Sequence, residues 1–290
     1  MKKVLSGFIW IISKIIGKKN LERLLIYNAK SIGVNLHVHG LIQIGALNGY
    51  HHQIISEQFF IANILPNFFK PGDKPLFFDV GGNVGDYALE LKKHFPGAVI
   101  HSFEPVKKTF DILAKNTAGS DIKIYNTGFG DTTGTLEIYN TANNSNTEIA
   151  SVYKEAFTDL FKNEEEVIAI TCEIDTMDNF CLLNNIKHID FLKIDVEGHE
   201  LSVLKGALNM LVSQNIKVIQ FEFNAHNVYS RVFLKDFYDL LKGFEFYRLK
   251  QNGMIALGQY DPVNEIFLLQ NIVAVRKDVC HLVKPVALND

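Results

Sequence analysis

Residues 76–127 constrain the fold most strongly. Short apolar runs alternate there with stretches of helical periodicity: Leu76–Val80, Asp86–Phe95, Ala98–Phe103, Val106–Asn116 and Ile122–Thr127. Apolar runs of this length between turns are buried strands. Strand–helix–strand repetition builds a parallel sheet with helices on both faces. The order resumes with strand Ile189–Ile194, helix Glu200–Val212, strand Lys217–Phe223, helix Leu234–Leu241 and strands Phe244–Leu249 and Ile266–Val275. Between the two blocks, Gly134–Asn140 and Val167–Ile174 read as extended, Asn140–Glu148 as a polar loop and Thr176–Leu183 as a short helix. A helix over Ser56–Phe69 is broken at Pro66. The 290 residues suit one large α/β domain, residues 56–290, behind a helical and irregular extension, residues 1–55.

The first strand runs into Asp79-Val80-Gly81-Gly82-Asn83-Val84-Gly85. Ligands of open parallel sheets bind beyond the carboxyl ends of the strands. Glycine there lets the backbone turn sharply and a ligand approach closely. A dinucleotide fingerprint starting at Gly81 would need glycine at 83 and 86, where Asn83 and Asp86 stand, and no GKS or GKT follows for a phosphate loop. The pattern acid-x-Gly-x-Asn-x-Gly resembles instead the first motif of Rossmann-like methyltransferases. Glu104 ends the second strand, 19 residues beyond Gly85. A carboxylate at that place accepts hydrogen bonds from both ribose hydroxyls. A nicotinamide-dependent oxidoreductase would carry the same acid, so it stands as the alternative, without its diphosphate fingerprint.

The run Phe191–Glu200 (FLKIDVEGHE) delivers Asp195 and Glu197 at a strand end, just before a helix that Glu200 is placed to cap. Four pieces in order, FDVGGNVG at 78–85, SFEP at 102–105, EIDTMDNF at 173–180 and LKIDVEGHELSVLKGA at 192–207, resemble the FkbM-type methyltransferases. The resemblance covers Ser56 to about Val275. It implies a Rossmann-like class I sheet, mostly parallel, with an antiparallel C-terminal strand. It implies S-adenosylmethionine as cofactor and O-methylation of a hydroxyl on a sugar, glycan or natural product. Carried over by position, Asp79, Gly81, Gly82, Asn83, Gly85 and Glu104 bind the cofactor. Asp195 serves its methionine end and Gly128 its adenine.

Methyl transfer to a hydroxyl needs the acceptor aligned and its proton removed. Four residues at strand ends are candidates for the base: Glu197, His199, Glu222 and His226. Asp195, Glu222 and His226 also offer donor atoms for a divalent cation, but their spacing matches no metal motif and none is predicted. His37 and His39 alternate as on a strand. His51 and His52 adjoin a turn at Gly49-Tyr50. Tyr229 and Tyr247 could stack on a sugar or pack in the core. A non-catalytic cofactor-binding module remains a third alternative.

Charge is nearly balanced, with 29 basic and 32 acidic side chains, which argues against a nucleic-acid partner and for a small, locally recognised acceptor. Three widely spaced cysteines without a CxxC pair suit a reducing compartment, the cytoplasm. The opening MKKVLSGFIWIISKIIGKKN is too short to span a bilayer; Lys14 interrupts it, and no small-residue cleavage site follows. On a helical wheel Val4, Leu5, Phe8, Ile9, Ile11, Ile12, Ile15 and Ile16 share one side, opposite Lys3, Lys14 and Lys18. Residues 3–16 therefore suit either a membrane interface, at its inner face, or packing on protein. Nothing in the sequence fixes the oligomeric state.

Overall fold

The computed structural model describes residues 2–47, 50–141, 150–160 and 167–287. Helices α1 (Lys2–Ile16), α2 (Lys18–Ser31) and α3 (Leu36–Gln43) open the chain. Next, α4 (Tyr50–Phe59) widens into a π turn, Phe60–Ile64, and then tightens into a 3-10 turn, Leu65–Phe68, at Pro66. Starting at Tyr50, α4 crosses the expected boundary at residue 55.

His37 and His39 do not lie on a strand: they sit in α3. Asn35 decides this, because its side-chain oxygen accepts from the N–H groups of His37 and Val38 at 3.1 and 3.2 Å and caps a helix there. His51 and His52 belong to α4, while Gly49 falls outside the described residues.

The alternation follows: β1 (Leu76–Val80), α5 (Asp86–His94), β2 (Val99–Phe103), α6 (Lys107–Asn116), β3 (Lys123–Tyr125), β4 (Gly128–Phe129), β5 (Gly134–Thr141), α7 (Lys154–Leu160), β6 (Val167–Asp175) and α8 (Met177–Leu183). The rest is β7 (Ile189–Ile194), α9 (Glu200–Lys205), α10 (Leu208–Val212), β8 (Ile216–Phe223), α11 (His226–Ser230), α12 (Leu234–Leu240), β9 (Phe244–Lys250), β10 (Gly253–Ala256) and β11 (Gln270–Arg276).

The main sheet has the order β10-β9-β11-β8-β7-β1-β2-β3. Strands β8, β7, β1, β2 and β3 run parallel, and β11 is antiparallel to both β8 and β9. This is the mostly parallel, Rossmann-like sheet with an antiparallel C-terminal strand. The two extended segments of the middle do not join it. They are β5 and β6, which pair with β4 in a separate three-stranded sheet. Gly128 therefore opens β4 rather than continuing the third strand. Most of the expected loop Asn140–Glu148 lies outside the described residues. The single helix expected over Glu200–Val212 is two helices. They part beside Gly206, whose backbone packs so closely on Gly130 that a Cβ would lie 2.0 Å from the Gly130 carbonyl oxygen.

Strand periodicity sorts the core into two faces. Phe78, Leu192, Ile194 and Phe221 pack with Phe180, Leu204 and Phe237 on one. Phe77, Phe191, Val218 and Val273 pack with Phe60, Ile61, Leu65 and Leu91 on the other. Phe221 is fully buried, its ring stacked on Phe237 at 4.3 Å. Phe221→Ala should cost about 3–5 kcal/mol in urea denaturation; a loss below about 1 kcal/mol would contradict this packing.

Candidate active site

On the second face the apolar rows give way to polar ones toward the carboxyl ends of the strands. Phe77 is followed by Asp79, Phe191 by Lys193 and Asp195, and Val218 by Gln220 and Glu222. Register aligns them across the sheet: Asp79 with Lys193, Lys193 with Gln220, and Glu222 with Asn271. A cavity of about 1220 Å³ opens over this edge. Its walls include Asp79, Gly81, Gly82, Asn83, Glu104, Gly128 and Asp195, and also Glu197, His199, Glu222 and His226. Gly85 is set back from that wall, at the start of α5. Its φ is 98°, and a Cβ there would lie 2.8 Å from Leu113.

The glycine loop is held by backbone contacts. The N–H groups of Gly81 and Gly82 both donate to the Phe103 carbonyl, at 3.0 and 2.8 Å. Gly81 has φ 81°, and a Cβ would fall 1.8 Å from the Asp195 carbonyl oxygen, so no other residue fits. Glu104 reaches back across the turn: one oxygen accepts from the Asn83 N–H at 3.1 Å and the other from the Val106 N–H at 2.9 Å. Burial lifts its carboxyl to about 7, against the pull of those two bonds. Asp79 is buried, accepts from the Ser102 hydroxyl at 2.8 Å, and is raised above the ordinary range by burial.

At the far end of the cavity the turn after β7 is left-handed at Glu197 (φ 51°) and Gly198 (φ 98°). Glu200 braces it, accepting from the N–H groups of Val196 and Gly198, each at 3.1 Å. The turn carries Glu197 to His226 at the start of α11, with Oε2 and Nδ1 2.8 Å apart. Burial alone would lower the His226 imidazole. The hydrogen bond and charge of Glu197, with Glu200 and Asp195 behind it, outweigh burial and raise it. Glu222 is raised well above the usual carboxyl range, by burial first and then by Asp195, Glu197 and Glu200. It accepts from Gln53 at 2.9 Å and from the Asn224 amide. His199 begins α9 beside Gly130, and burial lowers its imidazole. Tyr247 is packed in the core of the second face, away from the cavity wall. Tyr229 reaches Asp159 at 3.5 Å and is likewise absent from that wall.

Sequence reasoning missed Gln53, Glu57, Tyr87, Lys193 and Gln220. Lys193 is only 3% exposed, and its Nζ lies 2.8 Å from Asp195 and 3.8 Å from Glu57. Burial works against its charge, but the carboxylates of Asp195, Glu57 and Asp79 prevail and raise it. Gln220 receives the Tyr87 hydroxyl at 2.8 Å and donates to Glu57 at 2.9 Å. The signal was present: a lysine and a glutamine inside apolar strands must have buried partners.

These residues fit S-adenosylmethionine. Glu104 has lone pairs left for ribose hydroxyls. The carboxylates of Asp79 and Asp195 suit the α-ammonium of the amino-acid end, and the buried Asn83 Oδ1 has no hydrogen-bond partner among the described residues. Ligand atoms of Asp195, Glu197 and Glu222 also lie within 4.8 Å of one another, near enough for a divalent cation. Each already has a protein donor: Lys193, His226, and Gln53 with Asn224. Lys193→Met should cost about 3–5 kcal/mol because it strands buried carboxylates. Combined with Asp195→Asn, the loss in chemical denaturation should fall short of the sum of the two single losses; strict additivity would refute the coupling.

The chain is 30% identical over 169 residues to methyltransferase sdnD of Sordaria araneosa, covering 50% of this chain and 62% of that one. It is 27% identical over 146 residues to methyltransferase 1 of Beauveria bassiana, covering 46% and 59%. The chain thus spans about three-fifths of the length of these curated relatives. The crystal structure of methyltransferase FkbM from Methylobacillus flagellatus KT superposes with a TM-score of 0.42 and 14% identity, covering 74% of this chain and 47% of the other. The profile of the methyltransferase FkbM domain matches residues 79–248. The chain belongs to the FkbM methyltransferase family, whose cofactor is S-adenosylmethionine.

Proposed function

We propose that this chain methylates a hydroxyl oxygen of a sugar, glycan or other small natural product, with His226 as the base. The observation that carries this is the His226–Glu197 pair, 2.8 Å apart in the wall of the cofactor cavity. When bound, S-adenosylmethionine supplies a methyl group on a positively charged sulfur. The protein's part is to hold and deprotonate the acceptor. With Nδ1–H donating to Glu197, the basicity of the ring lies on Nε2. Glu197 then stabilises the imidazolium that forms, as an orienting carboxylate does for a base of this kind. Glu222, Asn224 and Gln53 present carboxyl and amide groups that suit a polyhydroxylated acceptor. The cofactor-binding residues carried over from the family resemblance keep those roles here. The nicotinamide alternative is not favoured, since Asn83 and Asp86 replace two fingerprint glycines.

A base must be neutral to act, so methyl transfer should rise with pH through an acid limb set by His226. Because His226 is raised, that limb lies above the ordinary histidine range. Glu197→Gln should move it to lower pH and slow the reaction. His226→Ala should lower kcat by roughly 100-fold or more. Transfer of tritiated methyl to glycan and metabolite fractions measures both. An acid limb that Glu197→Gln leaves in place excludes His226 as the base. Cofactor binding without any transfer would favour the non-catalytic module.

We place the protein in the cytoplasm, on the inner face of an anionic membrane. Three free cysteines support a reducing compartment. Among the described residues no helix is long and apolar enough to cross a membrane. Yet helices α1–α3 bury only Leu21 among their described side chains. They and their links carry 13 of the 21 large apolar residues that are exposed among the described residues, Trp10, Ile15, Tyr27 and Ile32 among them. Residues 1–55 hold seven basic side chains and one acidic, leaving 22 basic and 31 acidic in the remainder. Exposed apolar side chains on helices with an excess of basic residues suit anionic lipid; the same charge disfavours pairing of this region with its own copy. The full chain should float with phosphatidylglycerol-containing vesicles, be released by salt, and ignore pure phosphatidylcholine. Indifference to anionic vesicles would remove this placement.

A further inference from the structure

We propose that Glu57 is a binding residue for the amino-acid end of the cofactor, its carboxylate joining Asp79 and Asp195 as the seat of the α-ammonium. Glu57 lies on α4, outside residues 79–248 matched by the family profile, yet it lines the cavity beside Asp79, Asp195 and Tyr87. Its position is fixed from two directions. Gln220 Nε2 donates to Oε1 at 2.9 Å, and Lys193 Nζ stands 3.8 Å from the same oxygen. Lys193 sits closer to Asp195, at 2.8 Å, and lies over the Tyr87 ring, 4.9 Å from its centroid.

The charges at this end of the cavity do not balance. Three largely buried carboxylates, Glu57, Asp79 and Asp195, face one ammonium, Lys193. Lys193 forms its short contact with Asp195, and Asp79 makes its short contact with a neutral hydroxyl, that of Ser102. Buried negative charge without a matching cation is costly. A ligand that brings an ammonium into this corner corrects the imbalance, and Glu57, like Asp79, has only neutral donors at short range. Burial lifts its carboxyl to about 7 in spite of Lys193, and an ammonium bound beside it would favour the charged form.

The inference rests on S-adenosylmethionine being the cofactor, and calorimetric titration separates the two. The probes are S-adenosylhomocysteine and 5′-methylthioadenosine, which share the adenosine and the thioether, the second lacking the amino acid. Glu57→Gln keeps the shape and can still accept from Gln220. It should weaken S-adenosylhomocysteine about tenfold or more and leave 5′-methylthioadenosine unchanged. Glu57→Asp, which retains the charge, should recover part of the difference. Unchanged binding of S-adenosylhomocysteine, or an equal loss for both ligands, would make Glu57 a brace of α4 and overturn the proposal. If the wild-type chain binds neither ligand, the cofactor assignment itself falls.

Discussion

One buried ammonium ties together the elements that make the cavity. Lys193 projects from the central strand β7 and reaches Asp195 on its own strand end and Glu57 on α4, with the Tyr87 ring of α5 beneath it. Replacing it would strand carboxylates rather than merely loosen packing. The same face of the sheet is purely apolar two residues earlier, at Phe77, Phe191 and Val218. Period two thus turns a core into a polar floor within one step of each strand.

Around that floor the backbone is bent in two places, with different consequences. At Gly81 the left-handed turn brings the chain against the Asp195 carbonyl, joining the ends of β1 and β7. At Glu197 and Gly198 a second left-handed turn aims a carboxylate at His226. Gly198 is confined there, since a Cβ would approach the His226 Cβ to 2.8 Å. Non-glycine residues rarely hold such conformations, and Glu197 holds one where its side chain orders an imidazole.

Much of this was legible in the sequence, because the sheet writes itself in apolar runs and the loop in glycines. Asp79, Glu104 and Asp195 could be placed at strand ends by counting. What stayed hidden depends on contacts distant in sequence. Glu57 and Gln53 join the cavity from α4, 163 residues from Gln220 and 169 from Glu222. The small β4-β6-β5 sheet was also hidden, since extended segments alone do not reveal their partners. His37 and His39 were misjudged because alternation suggested a strand where the Asn35 cap decided for a helix. For Tyr247 the sequence left sugar stacking and core packing open, and the structure places it in the apolar half of the sheet.

The central claim is that acids from separate strand tips surround one adenosyl ligand and the α-ammonium of its amino-acid end. Side-by-side titration of the intact chain with S-adenosylhomocysteine and NAD tests it most directly. Saturable micromolar binding of the first and none of the second is the predicted result. Preference for NAD, or no binding of the homocysteine ligand at millimolar concentration, would contradict it.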